Sequence, residues 1–390
     1  LKLFSPEKSI SARGLSGAFD TNLQPVKGGK KGSKGLGLME FYALLGHNAK
    51  GLLKEFGTIK GEKHLDFWRN YELGLANMPK SAPYTFGKFN AIMTAAGAQI
   101  ARTPEGIAIT PVTDKETAKL SQGRKIKESG TYRGTNLEEI KGGLFDPGLT
   151  GGKKGDLWSE YELSDGIPHP ILSQIIRVIL DVPKKEWDDF VIDNSGKDLK
   201  AKLDGLDTGA VEERLRRNIA DKKDLTTSTQ ALRFLINLNK IPNSGLSDFI
   251  IKKLPVVPPR YRPLTTLPDG TRTVNDLNYL YQDVIVSDKL LRESKGLPKT
   301  EKEARKNMIQ AVNAFIGLSE PRSQSLRDKG VKGALTYITG KSSPKEGFFL
   351  NKMMKKQMLA TGRARLIPDP TANMDEVGIP EFMAWETYEP

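Results

Sequence analysis

Residues 254–263 read Leu254-Pro255-Val256-Val257-Pro258-Pro259-Arg260-Tyr261-Arg262-Pro263, and residues 267–270 read Leu267-Pro268-Asp269-Gly270. Val274-Asn275-Asp276-Leu277-Asn278-Tyr279-Leu280-Tyr281 follows and opens an amphipathic run that ends near Leu291. Five prolines between 255 and 268 fix φ and remove backbone donors, so no regular strand or helix is expected to persist there. Pro268-Asp269-Gly270 is a turn signal. Asn275 or Asp276 is placed to cap a helix whose apolar positions Leu277, Leu280, Tyr281, Val284 and Leu291 share one side. A stiff loop carrying Arg260 and Arg262 against a long helix suits a wedge against a polyanion. On spacing alone, a plain proline-rich connection between two elements is the favoured reading.

Working outward, Leu297-Pro298 makes a turn, and a second helix is expected from about Glu301 to Ile316, with Ala304, Met308, Ala311 and Phe315 as its apolar stripe. Two such helices form an antiparallel pair. Upstream, Leu38, Phe41, Leu45, Ala49, Leu52 and Leu53 predict one helix over 38–56, and another is expected over 86–101. Residues 102–113 turn to Pro, Thr and Gly and mark a boundary, and 114–170 read as loop-rich. Helices are expected at 171–179, 184–194, 210–220 and 228–239. Glu186, Asp189 and Asp193 share a helical face beside Asp188, and a solvated face explains them better than a metal site. Beyond 330, Lys345, Lys352, Lys355, Lys356, Arg363 and Arg365 are interleaved with Phe348, Phe349, Met353 and Met354. Basic groups beside apolar anchors suit a phosphate backbone, although an ordinary amphipathic surface reads the same way.

Composition narrows the classes. The 390 residues suffice for two or three domains, and the net charge of +13 favours a polyanionic partner. Mean hydropathy is −0.44, with no apolar window long enough to span a membrane and no signal-peptide layout. With no cysteine, disulfides and thiolate metal sites are excluded, and His47, His64 and His169 lack ligand spacing. Gly28-Gly29-Lys30-Lys31-Gly32-Ser33-Lys34-Gly35 lacks the Walker register, and Gly340-Lys341-Ser342 has Leu335 where the first glycine should be. A chain that opens on Leu1 is expected to begin within or after a longer product.

The opening stretch resembles the lid and clamp-helix region of the β′ subunit of multi-subunit RNA polymerases, which reads roughly L-P-V-x-P-P-x-x-R-P, a turn, then D-L-N-x-L-Y. Gly143-Leu144-Phe145-Asp146 resembles that family's early G-L-F-D, and Glu160-Tyr161-Glu162-Leu163 its H-I-E-L. Residues 309–315 are similar to the helix returning toward the rudder, and 362–367 to the S-G-R-x-x-I that leaves switch 2 for a double-psi barrel. Leu1-Lys2-Leu3, Ala12-Arg13, Gln24-Pro25, Gly28-Gly29-Lys30, Gly37-Leu38-Met39-Glu40 and Met78-Pro79 instead resemble the C-terminal end of the β subunit. The order implies a β–β′ junction on one polypeptide, as in single-chain polymerases of phages and mobile elements.

That resemblance implies an α+β fold: partial double-psi β-barrel strands at both ends, joined by a largely helical clamp. Its segments would be a β-like region (1–105), a clamp without zinc ribbon (106–250), a lid (251–272), the helix pair (273–318), rudder and switch 2 (319–362) and the start of a β′-like barrel (363–390). Lys2 matches the first of two phosphate-contacting barrel lysines, and Lys8 is the candidate for the second. Arg13, Lys30, Lys34, Val256, Val257, Arg260, Arg262, Lys345, Lys352, Lys355, Lys356 and Arg363 would meet template DNA or the RNA–DNA hybrid. Several departures matter. The zinc ribbon has neither cysteines nor room, and Gln357 replaces a switch-2 arginine. The shorter helix-pair tip counts against conventional sigma binding. The three-aspartate loop that holds Mg2+ is not in these residues, so the resemblance implies a DNA-directed RNA polymerase part that is inactive alone, needs other polymerase segments as partners, and works in a host cytoplasm or virion. The alternatives are a fragment of a two-barrel RNA-dependent polymerase, or a non-catalytic basic nucleic-acid-binding or virion protein.

Overall fold

The computed structural model describes residues 2–4, 10–11, 18–27, 32–75, 82–103, 106–127, 141–238, 244–266, 272–373 and 375–388. The fold is mixed α+β, with small sheets of two or three strands among helices. Two compact units divide the chain, one formed by residues 1–89 with 338–390 and the other by residues 90–337.

The first unit is built from both ends of the chain. Strand Lys2–Phe4 lies between Leu366–Pro368, antiparallel, and Val377–Gly378, parallel. Strand Ile10–Ser11 pairs with Thr361–Gly362, and Lys34–Leu36 with Lys356–Met358, both antiparallel. Among the described residues these strands close no barrel. The single helix expected over 38–56 is two, Leu38–Gly46 and Lys50–Gly57. Asn48 breaks it with a left-handed φ of +55°, a conformation that asparagine tolerates better than most residues.

In the second unit, strand Ser159–Pro168 runs parallel to Lys125–Ile126 and antiparallel to Ile250–Val256. Two expectations change here. The described part of 114–170 is less loop-rich than expected: it holds this strand and helix Asp114–Ser121, whose Thr113 cap and Glu116 form a capping box. The prolines do not exclude a strand, because Pro255 lies within Ile250–Val256 and pairs opposite Glu160. That strand is at the edge of its sheet, where a missing N–H breaks no ladder. A two-stranded ribbon, Leu264–Thr266 with Arg272–Val274, follows.

Helices Ser173–Ile179, Trp187–Asp193, Gly196–Asp204, Thr208–Ala220 and Leu225–Leu238 enclose an apolar core around Ile176, Leu199, Leu215, Ala231 and Leu235. The helix Gly196–Asp204 was not expected from spacing. The one expected over 86–101 stops at Ala95, and Gly97, with φ of +95°, turns the chain into strand Ala98–Thr103. A Cβ at position 97 would stand 2.9 Å from the His169 ring. Strands Ala98–Thr103 and Gly106–Pro111 form a ribbon.

The expected helix pair is present as Asp276–Glu293 and Pro298–Ile316. Asn275 caps the first helix by accepting from Leu277 N–H, and Pro298 opens the second at a position that needs no donor. Both apolar stripes read from spacing are buried. The ring of Tyr281, early in the first helix, packs at a tilt with its centroid 4.4 Å from that of Phe315, late in the second, so the two helices run antiparallel.

Candidate nucleic-acid interface

In the first unit, pairing of Lys34–Leu36 with Lys356–Met358 sets Lys34 opposite Met358 and Lys356 opposite Leu36. Alternation along the pleat puts both lysines on one face and Gln357 on the other. Gln357 Oε1 accepts from Ser33 Oγ at 3.1 Å on that second face. Leu359 N–H donates to Lys60 O at 2.8 Å, tying the segment to the turn at 58–62.

Beneath this ladder lies a polar network. Lys352 Nζ is 2.8 Å from Asp20 Oδ2, and the Lys352 carbonyl accepts from Gln24 Nε2 at 2.7 Å. Burial raises the Asp20 carboxyl, but hydrogen bonds from Lys352 and from the Gln24 and Asn22 N–H groups outweigh it and hold its pKa below the usual value. Glu62 accepts from Thr85 N–H at 3.0 Å and from the Thr85 hydroxyl. Burial raises the Glu62 pKa, opposed by those hydrogen bonds and by Lys356. The Lys356 ammonium is itself lowered by burial and partly restored by Glu62. Lys88 Nζ, almost fully buried, donates to Asn22 Oδ1 at 3.1 Å, and burial pulls its pKa down to about 8.

The anticipated contacts therefore sort by exposure. Lys345 and Arg363 are exposed, and Arg363 also donates to Gly35 O at 2.8 Å. Lys352, Lys355 and Lys356 are half-buried, whereas Lys34 is buried and its ammonium lowered by desolvation. The backbone of Lys2 occupies the central strand of its sheet. Lys8, Arg13 and Lys30 lie outside the described residues. Of the network's other residues, only Gln24 was noticed in sequence, as part of Gln24-Pro25; Asp20, Glu62, Thr85 and Lys88 are scattered over 69 positions and carry no motif.

The second unit contains the proline-rich stretch. Only Arg260 of its four proposed contacts is exposed. Val256 and Val257 are core residues, and Arg262 is fully buried. Arg262 donates to Val257 O, Asn278 Oδ1 and Leu144 O at 2.6, 2.7 and 2.5 Å, and its guanidinium lies 4.7 Å from the Phe145 ring centroid. A group with no exposed surface reaches no phosphate in this conformation; Arg262 anchors the loop instead. Asn278 returns a bond to Arg262 O at 3.1 Å, and Tyr281 Oη donates to Pro255 O at 2.7 Å while accepting from Val257 N–H at 3.0 Å. Asn278 and Tyr281 of the Asp-Leu-Asn-Tyr-Leu-Tyr block are thus the side chains that fix the loop on its helix. Further along, buried Asp288 accepts from Tyr161 Oη, Ser164 N–H and Ser164 Oγ, locking the same helix to strand Ser159–Pro168.

Among known proteins, the β′ subunit of DNA-directed RNA polymerase from Acidovorax ebreus is 30% identical over 255 residues, covering 63% of this chain. The chain is homologous to β′ over part of its length. Variovorax paradoxus β′ is 29% identical over 256 residues and Aliarcobacter butzleri β′ 27% over 270, the latter covering 67% of this chain. The matches span only 16–18% of those subunits. No protein-family model matches. Among the described residues, no group of three or more His, Cys, Asp or Glu is placed to hold a metal, and no helix is long and apolar enough to cross a membrane.

Proposed function

We propose that this chain is the clamp, lid and switch portion of a DNA-directed RNA polymerase, holding template DNA and the RNA–DNA hybrid during nucleotide addition. The observation that carries the reading is the knot of Arg262, Asn278 and Tyr281, which ties the β′-like lid motif to the β′-like helix motif in one packed object. Homology to β′ and the net charge of +13 support it further. The three-stranded sheet around Lys2–Phe4 fits the edge of a double-psi barrel whose other strands come from elsewhere in a β–β′ polypeptide of phage type.

In this reading Arg260 lies at the lid, and Lys345 and Arg363 meet the template backbone. Lys34, Lys352 and Lys356 act mainly by holding the segment 349–363 in place. Magnesium would be bound by carboxylates outside these residues, so the chain contributes binding and orientation, and alone it turns over no nucleotide.

The test uses the 390-residue chain, a fluorescein-labelled RNA–DNA hybrid, and the double variant Lys345→Ala/Arg363→Ala. Affinity should fall at low salt, and the slope of log K against log salt should shrink by roughly one to two units, as expected when one or two phosphate contacts are lost. Unchanged affinity and slope would refute the assignment of these two residues.

A further inference from the structure

A second group of basic residues lies in the unit of residues 90–337 and shares no residue with those assigned above to template or hybrid. A cavity of about 420 Å³ opens between the bend at 164–166, the first turn of helix Gly196–Asp204 and the turn joining the helix pair. Lys197, Lys200, Lys252 and Lys295 line it, against the carboxylates Asp165 and Glu301. Asp165 is already neutralised: it pairs with Arg305 and accepts from Gly166 N–H at 2.7 Å and Gly196 N–H at 2.8 Å. Arg305 is likewise held, donating to Asn194 O at 2.6 Å and Val191 O at 3.2 Å. Glu301 accepts from Gly296 N–H at 3.4 Å.

The lysines are differently placed. Among the described residues, no ion pair joins Lys197, Lys200 or Lys295 to a carboxylate, and Lys252 reaches Glu162 only at 4.0 Å. Lys197, Lys200, Lys252 and Lys295, from three separate elements, therefore line one concavity whose own carboxylates are Asp165, already paired, and Glu301, while Asp114 and Glu162 add negative charge near Lys200 and Lys252. Two backbone features shape this cleft. The register of Ser159–Pro168 against Ile250–Val256 shifts between Glu162 and Ile167, and Gly196 packs so closely on Gly166 that a Cβ would stand 2.5 Å from its backbone.

We infer that this cleft binds a clustered phosphate group through Lys197, Lys200, Lys252 and Lys295. Lysine suits that ligand because a compact, rotatable ammonium neutralises charge without demanding a fixed planar partner. A nucleic-acid backbone and a free polyphosphate present the same chemistry. The inference does not depend on the polymerase reading.

Binding of inorganic tripolyphosphate and of a labelled single-stranded oligonucleotide to the full chain would be measured at low salt. The variants are Lys197→Gln/Lys200→Gln and Lys252→Gln/Lys295→Gln, with circular dichroism confirming the fold. Each pair should weaken binding by roughly tenfold or more, since a charge-assisted contact is worth a factor of about ten. Loss with both probes, or with tripolyphosphate alone, supports a polyphosphate site; loss with the oligonucleotide alone supports the same lysines on a backbone. Unaltered binding in both variants, or no binding of either probe to the unaltered chain, overturns the inference. The hybrid-binding assay on Lys345→Ala/Arg363→Ala is read separately from the tripolyphosphate assay, so failure here is distinguishable from failure of the template assignment.

Discussion

Lys88 offers the most direct check on the network in the first unit. Its ammonium is nearly water-free, 3.1 Å from Asn22 Oδ1 and 5.6 Å from the Phe348 ring centroid, and burial lowers its pKa from 10.5 to about 8. In the unfolded chain the lysine keeps its proton up to about 10.5. Between about 8 and 10.5 the unfolded state therefore binds more protons, and the folded state gains stability as pH rises. The gain is complete above the unfolded value and is lost as pH falls through the folded one. A shift of this size corresponds to about 3 kcal/mol, disfavouring the fold at neutral pH. Lys88→Met removes that penalty but leaves Asn22 Oδ1 without this donor, worth roughly 1–3 kcal/mol. At pH 7 the variant should equal the parent or exceed it slightly. By pH 10 the parent should have gained about 2–3 kcal/mol relative to the variant. Urea unfolding at pH 7, 8, 9 and 10, followed through tryptophan emission (Trp68 lies in this unit), gives the difference. Parallel stability curves for the two proteins would refute a buried, depressed Lys88.

Gly196→Ala should destabilise the second unit by about 1–3 kcal/mol, because the new methyl meets the Gly166 backbone rather than a flexible side chain; its urea midpoint checks this. Gly51→Ala, within a helix and with nothing within 4 Å, should instead stabilise by roughly 0.5–1 kcal/mol in the same measurement. Tyr281→Phe loses the bonds to Pro255 O and Val257 N and should cost about 1–3 kcal/mol in urea unfolding. Arg262→Ala should lose several kcal/mol by stripping buried acceptors of their donor, whereas Arg260→Ala should leave thermal stability within about 0.5 kcal/mol and weaken hybrid binding.

The helix pair was legible because its signal is local: apolar residues at 3.6 spacing, an Asn cap and a proline at the next helix start. Residues that recur in a fixed order also pointed to the β′ likeness. The strand through Pro255 was not legible, since its permission depends on lying at a sheet edge, which no window of sequence contains. The burial of Arg262 was hidden for a similar reason. A surface loop and a buried knot present the same Arg-Tyr-Arg, and the carbonyl of Leu144 that fills one side of the guanidinium is 118 positions away. Glu62 and Lys88 had no signal at all, because each acquires its environment from partners elsewhere in the chain.

Ser33 and Gln357 are joined although they lie 324 positions apart in the sequence. During synthesis, strand Lys34–Leu36 must wait for its partner while the ribosome adds the intervening residues, on the order of tens of seconds at ordinary elongation rates. The second unit is contiguous over residues 90–337 and meets no such delay. Its early collapse would shorten the effective tether between the waiting ends and lower the entropy lost on closing so long a loop. A contiguous middle and a split outer unit thus predict an order of assembly, in which the middle of the chain folds first and its two flanks meet last.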